Sequence, residues 1–172
     1  MPDDHRPDSA TPPPGLFVRE LDLSDEAIAA MVRDVGRRAY AVEADLIGFD
    51  GIPALHESLS EMRAQPSRWL AAMTGDGRVV AFVAWQTFSD TSPRVTDIDR
   101  VCVDPAWFRR GLASRLLNHL LTEIVDSGEV RVSTGADNRP ALTLYRRLGF
   151  DRGADYEPVP GLRMAGLVLR RR

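Results

Sequence analysis

The stretch Val101-Cys102-Val103-Asp104-Pro105-Ala106-Trp107-Phe108-Arg109-Arg110-Gly111-Leu112-Ala113-Ser114-Arg115-Leu116-Leu117 joins a strand, a short loop and a helix. Val95 to Val103 alternates as a strand, which Asp104-Pro105 ends. From Gly111 onward Leu112, Leu116, Leu120 and Ile124 fall on one helical stripe, with Ala113, Leu117 and Leu121 beside it. Ser127-Gly128 is expected to close this long helix. The first turn of such a helix has backbone N–H groups without intrahelical partners, and its dipole makes that end electropositive. Gly111 lets an anion approach the backbone, Ala113 and Ser114 stay small, and Arg109 and Arg110 add positive charge. Together these would make the turn an anion site suited to a pyrophosphate.

Upstream, Leu16 to Leu23 reads as a strand ending where Ser24 and Asp25 can cap a helix. Ala27, Ile28, Met31, Val32 and Val35 recur at helical spacing. A second helical region runs from about Tyr40 to Arg63, broken by Gly48, Gly51 and Pro53 into two short helices. Arg68 to Met73 and Arg78 to Phe88 are strands of a hairpin turned by Thr74-Gly75-Asp76-Gly77. Downstream, Val130 to Thr134 is a strand and Pro140 to Leu148 a helix. Phe150 to Tyr156 and Met164 to Leu169 are closing strands. The order predicts an α/β fold with a single mixed, mostly antiparallel sheet of six to seven strands flanked by helices. Residues 1–15, rich in proline and aspartate, are expected as a disordered tail, and 16–172 as one domain.

Another segment stands at the right distance downstream: Thr134-Gly135-Ala136-Asp137-Asn138-Arg139-Pro140-Ala141-Leu142-Thr143-Leu144-Tyr145-Arg146-Arg147-Leu148-Gly149-Phe150. Together the two segments resemble the GNAT family of N-acetyltransferases, which use acetyl-CoA. Val101–Leu117 is similar to that family's motif A. Thr134–Phe150 is similar to its motif B, with Asn138, Ala141, Leu144, Tyr145, Gly149 and Phe150 all in place. The resemblance covers roughly Val95 to Phe150 and departs at Phe108, where that family often carries Gln or Arg.

The resemblance implies an acyl-CoA N-acyltransferase fold and acetyl-CoA as co-substrate. It implies that Val101, Cys102 and Val103 pair through their backbone with the pantetheine arm, on a strand splayed from Val130–Thr134. Arg109, Arg110, Gly111, Leu112, Ala113 and Ser114 would hold the pyrophosphate, and Asn138, Ala141, Leu144 and Arg147 would line the other wall. Tyr145 matches the tyrosine that protonates the departing thiolate. Asp97 and Asp99 are candidates for a general base, on the face of Val101 and Val103 if no bulge intervenes. Glu43 is a further candidate. The expected acceptor is a primary amine of a small molecule, protein or peptide. A non-catalytic acyl-CoA sensing module is the alternative from another class.

Composition narrows the field. Net charge is -3 and sequence pI about 5.6, which does not favour nucleic acid as a partner. No lysine occurs, so a P-loop is excluded. No apolar run reaches the eighteen or so residues that span a bilayer. Cys102 is the only cysteine, in keeping with a cytoplasmic location. His5, His56 and His119 have no metal-binding spacing. Acceptor choice falls to Glu26–Trp69 and the loop Phe88–Arg94, where Glu43, Asp45, Asp50 and Glu57 would suit a cation. A homodimer is compatible with such a fold.

Overall fold

The computed structural model describes residues 15–172; the expected tail, Gly15 apart, lies outside the described residues. Seven strands form one sheet: β1 (Phe17–Leu21), β2 (Arg68–Met73), β3 (Val79–Phe88), β4 (Val95–Val103), β5 (Gly128–Gly135), β6 (Asp151–Val159) and β7 (Leu162–Arg171). Their spatial order is β1-β2-β3-β4-β5-β7-β6. Neighbours pair antiparallel except β4 and β5, which are parallel. The helices are α1 (Glu26–Ile47), α2 (Pro53–His56), α3 (Leu59–Ala64), α4 (Leu112–His119) and α5 (Arg139–Arg147).

Both faces of the central strands are covered, which is why β2 and β3 read as continuous apolar runs rather than alternating ones. Trp69, Ala71, Phe82, Ala84 and Cys102 pack with Val32, Val35 and Met62 of α1 and α3. Leu70, Val83, Trp85 and Ile98 pack on the other face with Leu116, Leu117, Leu142 and Tyr145 of α4 and α5.

Three local expectations are corrected. First, α1 does not stop near Val35 but continues to Ile47 as one helix of 22 residues. Ala39, Tyr40 and Ala44 prolong its buried stripe, so packing holds the helix together past the first apolar group. Second, the helix after Gly111 keeps α geometry only to His119; Leu120–Ile124 widen into a π turn that ends at Val125.

The third correction concerns β4. Ala84 of β3 faces Arg100, but its neighbour Trp85 faces Ile98, so Asp99 is an extra residue that bulges out of the ladder. The bulge breaks the alternation across Asp97–Val103. Val101 and Val103 pack against the α4–α5 side, whereas Cys102 joins the α1 side. Asp97 lies opposite Gln86 and Asp99 accepts a hydrogen bond from the Gln86 amide, so neither aspartate shares a face with Val101 and Val103.

The bulge also coincides with a divergence. β4 and β5 pair from Val95↔Glu129 to Ile98↔Val132 and then separate, although β4 runs on to Val103 and β5 to Gly135. Beyond Ile98 the β5-facing edge of β4 has no strand partner, as the splayed arrangement requires. α1 closes the far side of the wedge. A Cβ on Gly135 would lie 2.5 Å from the Ile47 side chain, so only glycine lets the end of β5 approach α1 this closely.

Candidate active site

The wedge opens into two compartments that share one wall. The first is a groove of about 480 Å³. Val101 and Val103 form its floor, Val42 and Leu46 of α1 one side, and Pro140, Ala141 and Leu144 of α5 the other. Trp107 to Ser114 close one end. The second compartment, of about 670 Å³, lies between α1, the α2–α3 segment and strands β4 and β5. Glu43, Val101, Asn138, Ala141 and Tyr145 line both.

The closed end of the groove is the turn before α4. Asp104 fixes its base, accepting from the Ala106 N–H at 3.0 Å while pairing with Arg38 of α1 at 2.7 Å. The chain then turns through two left-handed residues, Arg109 (φ 62°) and Gly111 (φ 70°). For a residue with a Cβ such a conformation costs about 1–2 kcal/mol, a strain characteristic of functional turns. The α1, α3 and α5 N-termini are each capped by a side chain: Asp25, Ser58 and Asn138. α4 has no side-chain cap. Its first-turn residues Leu112, Ala113 and Ser114 line the groove end beside an open position at Gly111, where an added Cβ would meet nothing within 4 Å. Arg110 stacks its guanidinium over the Trp107 ring at 4.5 Å, and Phe108 lines the same end. The arrangement is concave, positively polarised and built mainly of backbone, a geometry suited to an anion.

At the shared wall, Asn138 caps α5, its Oδ1 accepting from the Ala141 N–H at 3.3 Å. Its Nδ2 donates to Thr134 Oγ1 at 3.2 Å, and that hydroxyl donates onward to Glu43 Oε1 at 3.4 Å. Tyr145 is buried, 4% exposed, with its ring edge against Phe150. Burial, then the charges of Glu43 and Cys102, hold its phenol well above the ordinary tyrosine range, so it stays protonated at any ordinary pH.

The second compartment is lined by polar side chains from separate elements. Glu57, between α2 and α3, receives both guanidinium nitrogens of Arg100 at 2.7 and 2.8 Å. That guanidinium also lies 5.4 Å from the Trp69 ring centre. Asp99 Oδ2 accepts from Ser67 Oγ at 2.9 Å and from Gln86 Nε2 at 3.1 Å. Among the described residues no group of three or more His, Cys, Asp or Glu is placed to hold a metal ion.

The family model described as Acetyltransferase (GNAT) family matches residues 40–150, which include both the turn before α4 and the Asn138–Phe150 segment. The chain belongs to the GNAT acetyltransferase family. It is similar to the N-alpha-acetyltransferase RimI of Mycobacterium tuberculosis, at 31% identity over 76% of this chain and 82% of that protein. It is also similar to the UPF0157 protein YqkA of Bacillus subtilis, at 29% identity over 85% of this chain but only 41% of that relative's length. A GNAT phosphinothricin acetyltransferase from Sinorhizobium meliloti, solved with AcCoA, shares the fold at a TM-score of 0.65. Its identity is 14%, and the match covers 91% of this chain and 88% of that one.

Within this GNAT domain most of the expected residues come together. Val101, Val103, Arg109 to Ser114, Asn138, Ala141, Leu144 and Tyr145 all line the groove. The side chains of Asp97 and Arg147 line neither compartment, and Asp99 lines only the second. Cys102 is expected to contribute its backbone alone, on the unpaired stretch of β4; its side chain turns to the α1 face, where burial pushes the thiol up to about 12. Arg147 is exposed, because α5 turns Ala141, Leu144, Tyr145 and Leu148 inward and position 147 falls outside that stripe. Asp97 lines neither compartment; it is half-buried, and desolvation followed by the nearby charge of Asp99 raises its carboxyl pKa. Of the four acids singled out for a cationic acceptor, Glu43 and Glu57 line the second compartment; Asp45 and Asp50 do not. Arg100, Tyr40 and Thr134 were not anticipated, and no local pattern marks them. No helix among the described residues is long and apolar enough to cross a membrane.

Proposed function

We propose that this protein is an acetyl-CoA-dependent N-acetyltransferase, acting in the cytoplasm, that passes the acetyl group directly to a primary amine. The observation that carries the reading is the shared wall. A backbone-lined groove ending in an uncapped helix N-terminus meets a separate polar compartment at a buried, protonated tyrosine. A cofactor-sensing module needs only the groove. A second compartment opening onto the same tyrosine supports a second substrate.

The Leu112, Ala113 and Ser114 N–H groups would take the pyrophosphate, and the unpaired edge of β4 past Ile98 would pair with the pantetheine amides as an added strand does. The amine enters from the second compartment. Its nitrogen attacks the thioester carbonyl, the carbon–sulfur bond breaks, and the sulfur leaves with the electron pair. Tyr145 gives that thiolate its proton. The amine must lose a proton to attack; Glu43 lines both compartments and accepts a hydrogen bond from Thr134, which supports it for this role over Asp97 or Asp99. An amine acceptor is in keeping with a relative, the [Ribosomal protein bS18]-alanine N-acetyltransferase of Salmonella typhimurium, whose name gives an alanine of a ribosomal protein as its acceptor.

Release of free thiol from acetyl-CoA, followed with a panel of small amines and short peptides, tests the reading. Amine-dependent release with an acetylated product supports it. Tight acetyl-CoA binding with no release above the hydrolysis background for any amine would leave the sensing module as the function.

A further inference from the structure

The second compartment carries an excess of negative charge, and its placement defines an acceptor more closely than a primary amine. Four carboxylates line it, on Glu43, Glu57, Glu61 and Asp99, against one guanidinium on Arg100. Arg100 is consumed by the bidentate pair with Glu57, and Glu61 is engaged in the capping box of α3. His56 places Nε2 at 3.1 Å from the Asp50 carbonyl oxygen. Glu43 and Asp99 remain, and neither has an ion-pair partner among the described residues.

These two come from different elements, α1 and β4, and only Glu43 reaches the groove, so it marks the reacting end. Asp99 bonds Ser67, which also lines the cleft beneath β1 and α3. The bulge on β4 is what turns Asp99 toward this compartment. Both of its protein donors land on Oδ2; no donor among the described residues meets Oδ1. Along the strand, Asp99 lies two residues from Val101 at the shared wall, about 7 Å at the usual rise. A short aliphatic chain spans that distance.

We propose that the acceptor is a small aliphatic diamine or polyamine, its reacting nitrogen against Glu43 and Tyr145 and its second ammonium against Asp99. This rests on the acetyl-transfer reading and names the acceptor for it. A compartment of about 670 Å³ is of small-molecule size. The second charge adds attraction that a monoamine of equal length lacks, and salt screens it.

The test compares putrescine with n-butylamine and with a short uncharged-side-chain peptide, by thiol release at low and high ionic strength. Acetyl-CoA binding is measured separately by calorimetry. Putrescine is expected to exceed n-butylamine in kcat/KM at least about fivefold, the upper range for an exposed ion pair, and the advantage shrinks at high salt. Asp99→Asn is expected to lower kcat/KM more for putrescine than for n-butylamine. If acetyl-CoA binds and the peptide or the monoamine is the better acceptor, or if Asp99→Asn affects both amines equally, the diamine assignment is overturned while acetyl transfer stands. If acetyl-CoA does not bind at all, both readings fall.

Discussion

The groove and the second compartment meet at the same five residues yet are built by opposite means. The groove is made of one continuous piece of chain between two helices: the edge of β4 and the turn Arg109–Ser114, flanked by α1 and the inner face of α5. Its polar groups are mainly backbone. The second compartment is assembled from side chains on α1, the α2–α3 segment, β3, β4 and β5, held by contacts between residues far apart in sequence, such as Arg100 with Glu57 and Ser67 with Asp99. Backbone held by a helix N-terminus tolerates side-chain change and suits an invariant ligand. A side-chain lining is easily varied and suits an acceptor that differs from one relative to the next.

The difference yields separable effects. The largest is expected where the compartments meet: Tyr145→Phe lowers kcat about 10²-fold, a usual general-acid contribution, with little change in acetyl-CoA affinity. Single-turnover kinetics beside a binding titration check this. An unchanged kcat would remove the proton-donor role. Next, Arg100→Ala leaves Glu57 largely buried without its partner and is expected to cost about 3 kcal/mol of stability, the low end for a broken buried pair. Chemical denaturation measures that loss. Acetyl-CoA affinity should survive the substitution, because the groove does not depend on this pair; parallel loss of both would show that the compartments are not independent.

A smaller effect is tied to pH. Cys102, Tyr40 and Tyr145 are held neutral by burial, with pKa values raised above their ordinary ones. A raised value on such an acid contributes stability that is complete below the unfolded pKa and is lost as pH climbs toward the folded one. For Cys102 that window runs from about 8.5 up to about 12. The free energy of unfolding, measured by chemical denaturation across pH, should therefore fall above about pH 9. Cys102→Ala should make that fall shallower by about 1.4 kcal/mol per pH unit, whatever it costs in packing. An unaltered slope would mean that the thiol titrates normally. The smallest effect is expected at Phe108, where Phe108→Ala should change acetyl-CoA affinity less than about threefold, since the turn before α4 is mainly backbone; a tenfold loss by calorimetry would return weight to its side chains.

The same contrast explains what was legible in the sequence. The order of elements along the chain, the hairpin, the turn before α4 and the α5 face could be read because each is a local pattern, in which period, glycine position and helix start sit within one stretch of chain. The continuation of α1 through Tyr40 was missed because tertiary packing sustains it. The bulge at Asp99 was invisible because it is a property of the β3–β4 register and not of β4 alone. That single extra residue moved Asp97 and Asp99 off the expected face. Arg147 was carried along with its motif, although its place on the helix faces solvent. The Arg100–Glu57 pair spans 43 positions, and nothing local announces it.

The central claim is that the uncapped start of α4 and the unpaired edge of β4 form the coenzyme A site. Backbone amide NMR during titration with coenzyme A addresses it most directly. The account predicts saturable shifts that are largest at Leu112, Ala113 and Ser114 and along Asp99–Val103, with small changes in α2 and α3. Shifts centred on the α2–α3 compartment, or none at millimolar coenzyme A, would contradict it.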